Sequence, residues 1–413
     1  MRQFLCVLVF AMFSSSLFAD WPAFRGSDGN GKSPDTGLLK KWAPEGPKLL
    51  WQVDFIGTGW SGVSIAGDRI YISGNVGDKT MIFCLDKNGK KIWEKDNGPA
   101  HASARHYPGT RGTPTIDGDF VYDISPLGEV ACFDAKTGEK KWNRNILKDY
   151  DAPTPMWSFG HAVIVCGDNI ISPLGGSKHS AIAMDKRTGE TVWKSEPFSG
   201  NLQAAYTTPY LFELEGTNVV VVMSTATAEG LDAKTGKKLF SFPWTNSHTC
   251  HCTMPIYHEG HLFMTTGYNN SSAKLFKLTK NADGTITPTE EVWSEPRFNN
   301  HHGGVILVGD HVYGTTHNGS WSSINFMTGE VGYLVRDAGK GSVHYADGLL
   351  YGLTEDDKTV LLIKPEPKEF VLLSSFELPN DAAGKSWAHP VVLGGRLYLR
   401  HAQYLYCYDV KAE

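Results

Sequence analysis

The densest group of chemically able side chains is His248-Thr249-Cys250-His251-Cys252-Thr253-Met254. Imidazole, thiolate and thioether are the ligand set that selects soft metals such as copper or zinc. In an extended segment Cys250 and Cys252 point one way and His251 the other. The two thiols could ligate an ion, close a strained disulfide, or stay free and buried. His301-His302 lead the following repeat and complete the candidate metal set of His248, Cys250, His251, Cys252, His301 and His302. The two well-spaced ligand pairs of a structural zinc site are not found.

Two further groups carry chemistry. His106, His251, His301, His344 and His389 are candidate proton carriers for a catalytic site. Trp60, Trp157 and Trp387, with Arg105 and Arg111, could bind a cofactor or ligand through flat apolar faces and fixed positive charge. Gly57-Thr58-Gly59-Trp60-Ser61-Gly62 is glycine-rich, but no helix follows it to present amides to a phosphate.

The elements that must position these side chains are read from a recurring turn. Cys132-Phe133-Asp134-Ala135-Lys136-Thr137-Gly138 to Trp142 reads as a strand end, a tight turn and a new strand. Related copies run from Cys84 to Trp93, Ala183 to Trp193, Gly230 to Phe240 and Ser323 to Tyr333. The spacing is 48 residues from Asp86 to Asp134, 51 from Asp134 to Asp185 and 47 from Asp185 to Asp232. Degenerate copies fill the gaps near residue 279 and between Asn325 and Asp409. Four short strands per unit at this period predict an all-β fold, an eight-bladed β-propeller of four-stranded antiparallel blades. The eighth unit ends at Asp409 without its Trp strand, and Pro47 to Val53, with Trp51, supplies it. The ring should therefore close by pairing the N- and C-terminal strands, which removes two open edges.

In such a ring, loops leading into each innermost strand share one face with the joins between second and third strands. Twelve of the fifteen histidines fall on that face, all but His258, His261 and His311. Trp60, Trp157, Trp387, Arg105, Arg111, Asn299, Asn300 and Lys340 gather there too. A mouth of this composition suits a polar ligand with flat apolar faces, such as a saccharide, or an anionic one.

Composition bounds the rest. A formal charge of −5 argues against nucleic acid as a partner. Met1-Arg2, the apolar run Phe4 to Phe13 and Leu17-Phe18-Ala19 read as a secretory signal peptide, residues 1–19, too short in its apolar part to anchor in a bilayer. Residues 20–46 are predicted to form an ordered arm, because Trp21 and Phe24 need burial, and residues 47–413 the propeller. The mature chain is expected to be periplasmic or secreted, without a transmembrane anchor, and monomeric.

The motif Ala/Cys-x-Asp-x-x-Thr-Gly-x-x-x-Trp, repeated round eight blades, resembles the quinoprotein-type propeller. That is the fold of alcohol dehydrogenases using pyrroloquinoline quinone and of outer-membrane assembly lipoproteins. The opening Trp21-Pro22-Ala23-Phe24-Arg25-Gly26, followed by Trp42 and Trp51, resembles exported bacterial members. The resemblance implies pyrroloquinoline quinone as a possible cofactor. Several family features depart, since no adjacent Cys-Cys pair, no haem-attachment motif and no lipid-acceptor cysteine are found. The expected function is a ligand-binding or protein-scaffold propeller acting through its His/Trp/Arg-rich face. The alternative is an enzyme on the same face, a diverged quinone-dependent dehydrogenase or a metal-assisted enzyme acting on carbohydrate.

Overall fold

The computed structural model describes residues 20–101, 107–198, 202–379 and 382–412. The signal-peptide expectation for residues 1–19 lies outside them. The described chain forms eight four-stranded antiparallel sheets. Taken in order they are blade 1 (residues 64–99), blade 2 (115–145), blade 3 (164–194), blade 4 (210–243), blade 5 (256–295), blade 6 (300–335), blade 7 (341–377) and blade 8 (391–409). Blade 8 takes its outermost strand from the other end of the chain, Lys48–Val53, with Trp51 opposite Cys407 and Val53 opposite Leu405. The only helix among the described residues is one short turn, Ile146–Tyr150.

The repeated turn shows why the blades look alike. Asp134 Oδ1 accepts hydrogen bonds from Lys136 N at 3.1 Å, Thr137 N at 2.8 Å and Thr137 Oγ1 at 2.8 Å. Asp232 does the same for Thr235, and Asn325 for Thr328. The Trp beyond the turn then locks the next blade. Trp93 of blade 1 donates from Nε1 to Ala135 O at 3.2 Å, Trp142 to Lys186 O at 3.2 Å, and Trp193 to Ala233 O at 3.2 Å. Each indole lies on the turn glycine of that neighbour. A Cβ on Gly138, which has φ +71°, would sit 2.7 Å from the Trp93 ring. Glycine is required here twice over, by the left-handed backbone and by the ring above it. Trp51 of blade 8 meets Gly89 of blade 1 in the same way, so the lock continues across the closure.

Residues 20–42 run across the end of the ring opposite the lead-in loops. Trp21 pairs with Ile65 of blade 1, Pro22 O accepts from Ile116 N of blade 2, and Gly31 and Ser33 bond Tyr345 of blade 7. Arg25 enters the axis, where it is buried and donates to Val305 O at 2.5 Å and Gly29 O at 3.2 Å. Phe24 is half-buried beside it and meets His389 edge-on at 4.9 Å. The axis is thus filled from one end and left open on the face that carries the lead-in loops. Among the described residues no helix is long and apolar enough to cross a membrane.

Candidate functional site

A cavity of about 270 Å³ occupies the open end of the axis, and every blade contributes to its wall. Trp60 leads into blade 1, Arg111 into blade 2, Trp157 into blade 3, Tyr206 into blade 4 and Trp387 into blade 8. Cys250 and Cys252 lead into blade 5, His301 and His302 start blade 6, and Glu355 follows the second strand of blade 7. Phe24 and His389 lie at its inner end.

One wall is aromatic. The rings of Trp60 and Trp387 are 4.8 Å apart, Tyr107 lies 5.0 Å from Trp387, and the Arg111 guanidinium sits 4.9 Å over Trp60. Trp157 and Tyr206 form a second aromatic pair at 5.8 Å. Arg111 donates to Gly109 O at 3.3 Å and Tyr107 O at 2.8 Å, and has no carboxylate partner among the described residues. Burial pushes its pKa down to about 10, which leaves it a cation at neutral pH.

Another wall is a charged relay. Glu355 accepts from His302 Nε2 at 3.0 Å and Lys340 Nζ at 3.1 Å, with Lys385 Nζ at 3.7 Å. Burial alone would raise the Glu355 carboxyl, but the His302 hydrogen bond and the Lys340 charge outweigh it and hold it well below the usual carboxylate range. Burial keeps His302 neutral, so it donates to Glu355 as an uncharged ring. Its Nδ1 then carries a lone pair, and that atom is buried without a partner among the described residues. Lys340 also donates to His301 Nδ1 at 2.7 Å.

His301 reaches the cavity because the inner strand of blade 6 bulges. Asn300 pairs with Thr316 and Val305 with Gly314, so residues 301–304 are looped out between them. Gly304 makes this possible, with φ +71° and Arg25 and His389 packed where its side chain would be. Opposite, Cys250 Sγ and Cys252 Sγ are 3.6 Å apart. The hydrogen bond from Cys250 holds the Cys252 thiol below its usual range against the effect of burial, helped by Arg111 and Lys340, while that bond and burial raise Cys250. Ligand atoms of Cys250, Cys252 and His301 all lie within 4.8 Å of one another.

The structure sorts the candidates named from sequence. Trp60, Arg111, Trp157, Trp387, Cys250, Cys252, His301, His302 and His389 meet in one cavity. Arg105 and His106 lie outside the described residues. His251 turns away from the two thiols, as alternation requires, and is buried with Nδ1 2.8 Å from Thr266 Oγ1. Burial pushes it down to about 4, and its place is structural. His344 is packed under the arm at 4.9 Å from Trp21, and its Nε2 accepts from Val392 N at 3.2 Å. His389 has both ring nitrogens engaged, Nδ1 at 3.4 Å from Arg25 Nη1 and Nε2 at 3.0 Å from His302 O. His248 is exposed and stacked on Tyr268 at 4.3 Å, outside the thiol–imidazole cluster. Glu355, Tyr107, Tyr206 and Tyr268 were not among the sequence candidates. All four occupy lead-in loops or second-to-third joins, so the positional rule applied to histidines would have found them.

Comparison with known proteins places this geometry. Residues 33–151 and 156–371 match the sequence profile of a family described as outer membrane protein assembly factor BamB. The chain belongs to that family. Among solved structures it is similar to BamB from Moraxella catarrhalis, with 14% identity, a TM-score of 0.61, and coverage of 88% of this chain and 98% of that one. It is also similar to a quinohemoprotein alcohol dehydrogenase from Pseudomonas putida HK5, with 13% identity, a TM-score of 0.65, and coverage of 96% and 81%. A computationally designed protein, Ika8, matches at 10% identity and a TM-score of 0.60, over 88% of this chain and 100% of that one. At these identities the likeness is one of fold. No curated protein matches the chain.

The cavity does not fit a quinone held in the way the resemblance implies. Cys250 and Cys252 are separated by His251, so they do not form an adjacent-cysteine cap. Glu355 is the one carboxylate in the wall among the described residues, and His302 and Lys340 already engage it. No carboxylate set is left to hold a calcium or lanthanide ion beside the quinone.

Proposed function

We propose that this chain is an exported binding propeller whose open cavity takes a small ring-shaped polar ligand of the saccharide class. The observation that carries this reading is the cavity itself. Aromatic rings from blades 1, 3 and 8 line one space with Arg111, the partnerless His302 Nδ1 and ionised Glu355. Aromatic faces take the apolar faces of a sugar ring, and donors and acceptors between them take its hydroxyls. The Arg25–Phe24 plug closes the far end, so a ligand enters and leaves by the same face.

The test is calorimetric and fluorimetric titration of the mature chain with a panel of neutral and acidic oligosaccharides. Binding that weakens at least tenfold in Trp387→Ala and in Arg111→Met supports the reading. Absence of saccharide binding across the panel sinks it. Family membership favours a second reading, a scaffold that docks a protein on this face. In that case a partner would bind with an affinity that depends on rim residues such as the exposed Met156 and not on Trp387. The Glu355–His302–Lys340 relay could move a proton, and turnover of any bound sugar would convert the binding reading into the enzymatic one.

A further inference from the structure

We infer that Cys250, Cys252 and His301 form a binding site for a soft monovalent d10 cation, with Cu(I) as its chemical type, set into the wall of the cavity. The three ligand atoms already lie within 4.8 Å of one another, and the two sulfurs are 3.6 Å apart. An ion about 2.3 Å from each of two thiolates, at a tetrahedral to trigonal angle, separates them by roughly 3.8 to 4.0 Å, so the sulfur pair needs almost no movement. Only the imidazole has to close in.

The ligands are held by a shell that fixes them relative to one another. Asn246 Oδ1 accepts from His248 N at 2.9 Å and Cys250 N at 3.2 Å, and its Nδ2 donates to Cys250 O at 2.7 Å. Thr249, at φ +52°, lets the loop turn sharply just before the first thiol. His251 O accepts from Tyr206 N at 3.0 Å and Thr207 Oγ1 at 2.9 Å, which pins the residue between the two cysteines. Thr253 Oγ1 bridges to Asn300 Oδ1 at 2.7 Å and His301 O at 3.1 Å, tying the thiol loop directly to the histidine. A site whose ligands are locked by hydrogen bonds from beyond them is preorganised for its ion.

Charge decides between ions. Two thiolates and a divalent ion are neutral together, whereas two thiolates and a monovalent ion leave one negative charge. The half-buried Arg111 lines the same cavity as the two thiols and has no carboxylate of its own among the described residues, and the half-buried Lys340 places its Nζ 2.7 Å from His301 Nδ1. The surroundings therefore favour the monovalent ion, and thiolate–imidazole ligation is soft enough to select it. Each thiol gives up its proton to solvent as it ligates. Lys340 already occupies His301 Nδ1, which leaves Nε2 to take the ion. The ring proton then passes to Nδ1, and Lys340 gives its hydrogen bonds to Glu355, 3.1 Å away.

The experiment is an anaerobic titration of the reduced full-length mature chain against Cu(I) held by a bathocuproine chelator. The expected result is one equivalent withdrawn from the chelator, with an ultraviolet thiolate-to-copper band. Cys252→Ser and His301→Ala should each weaken uptake by tenfold or more, while Cys166→Ser, a thiol in blade 3 away from the cavity, leaves it unchanged. Should a variant fail to fold, the wild-type chain provides the second measurement: bound Cu(I) should protect Cys250 and Cys252 from alkylation but not Cys166. No withdrawal of Cu(I), equal uptake by a Cys250→Ser/Cys252→Ser chain, or preference for Zn(II) over Cu(I) would overturn the assignment. The titration uses no saccharide, so the ion site and the ligand reading can fail separately.

Discussion

Asp123 shows how one buried side chain can set the pH response of the ring. It is 1% exposed, between blades 1 and 2, with Asn97 Nδ2 donating to Oδ2 at 2.8 Å and Oδ1 left without a partner among the described residues. Burial raises its pKa to about 6, against the opposing hydrogen bond of Asn97. Below about pH 4 both folded and unfolded chains hold this proton, and nothing is lost. From there to about 6 the folded chain holds a proton that the unfolded chain has released, so stability falls as pH rises. The gap between about 6 and the ordinary aspartate value corresponds to roughly 3 kcal/mol. Asp123→Asn mimics the protonated acid and should be nearly as stable as wild type at pH 4 but more stable at pH 7.5. Urea midpoints at the two pH values check this, and parallel profiles for the two chains would refute it. Sequence could not show this residue, because nothing local marks Asp123 as buried. The cavity residues were more legible. Trp60, Arg111, Trp157, Trp387, Cys250, Cys252, His301 and His302 stood out by type and by position in the repeat. His344 and His251 stood out equally, and only the packing of Trp21 on the first and of Thr266 against the second separates them from the site.

At the scale of the element, the turn and its Trp act as one device. Trp93 is 8% exposed, donates to Ala135 O and covers Gly138. Trp93→Ala should cost about 3–5 kcal/mol through lost burial and the space left behind. Gly138→Ala should cost more than the 1 kcal/mol or so expected for its left-handed backbone, since the new Cβ would lie 2.7 Å from the indole. In a Trp93→Ala chain that clash is gone and only the backbone cost remains. A double-mutant cycle by denaturant unfolding should therefore give a coupling of about 1 kcal/mol or more, and strict additivity would show that the ring and glycine do not act together. This device was readable because it is written in consecutive residues. Its weakened forms were readable only through the period. Blade 5 keeps Trp293 but carries its outer hairpin further, with Ala273–Lys280 and Ile286–Glu295 paired out to Lys280 and Ile286 around a turn at 281–285, and blade 7 pairs Thr359–Pro365 with Phe370–Glu377 with no Asp-x-x-Thr-Gly motif at all. The arm's route was the least legible element. Trp21 and Phe24 implied burial, but the entry of Arg25 into the axis depends on carbonyls from residues as distant as Val305.

At the scale of the molecule, eight blades are one unit only if the ring closes. Closure rests on Lys48–Val53 pairing with Tyr404–Asp409, on Trp51 covering Gly89, and on Arg400. The Arg400 guanidinium is 2% exposed and reaches from blade 8 to Ser61 Oγ at 2.7 Å, Ser73 O at 2.7 Å and Gly57 O at 2.9 Å. Those carbonyls belong to blade 1 and the loop leading into it, so the guanidinium bridges the seam from inside while the strand bridges it from outside. Replacing Lys48–Val53 by a Gly-Ser linker of equal length keeps the arm tethered and removes only the outer bridge. Tyr404–Asp409 then becomes an open edge, and open edges recruit other strands. The inner bridge, Arg400 together with the apolar core that Val391, Leu393, Tyr398 and Leu405 share with Ile65, Ile70, Ile72 and Phe83, would then have to hold the seam without the six-residue strand and the half-buried Trp51 indole. The substituted chain should melt at a lower temperature and self-associate as its concentration rises. A synthetic peptide spanning residues 47–54 should restore both properties by adding back the missing strand. Scattering and thermal melts with and without the peptide measure this. An unchanged melting temperature in a monomeric chain would mean that the inner bridge suffices and the terminal strand does not close the ring.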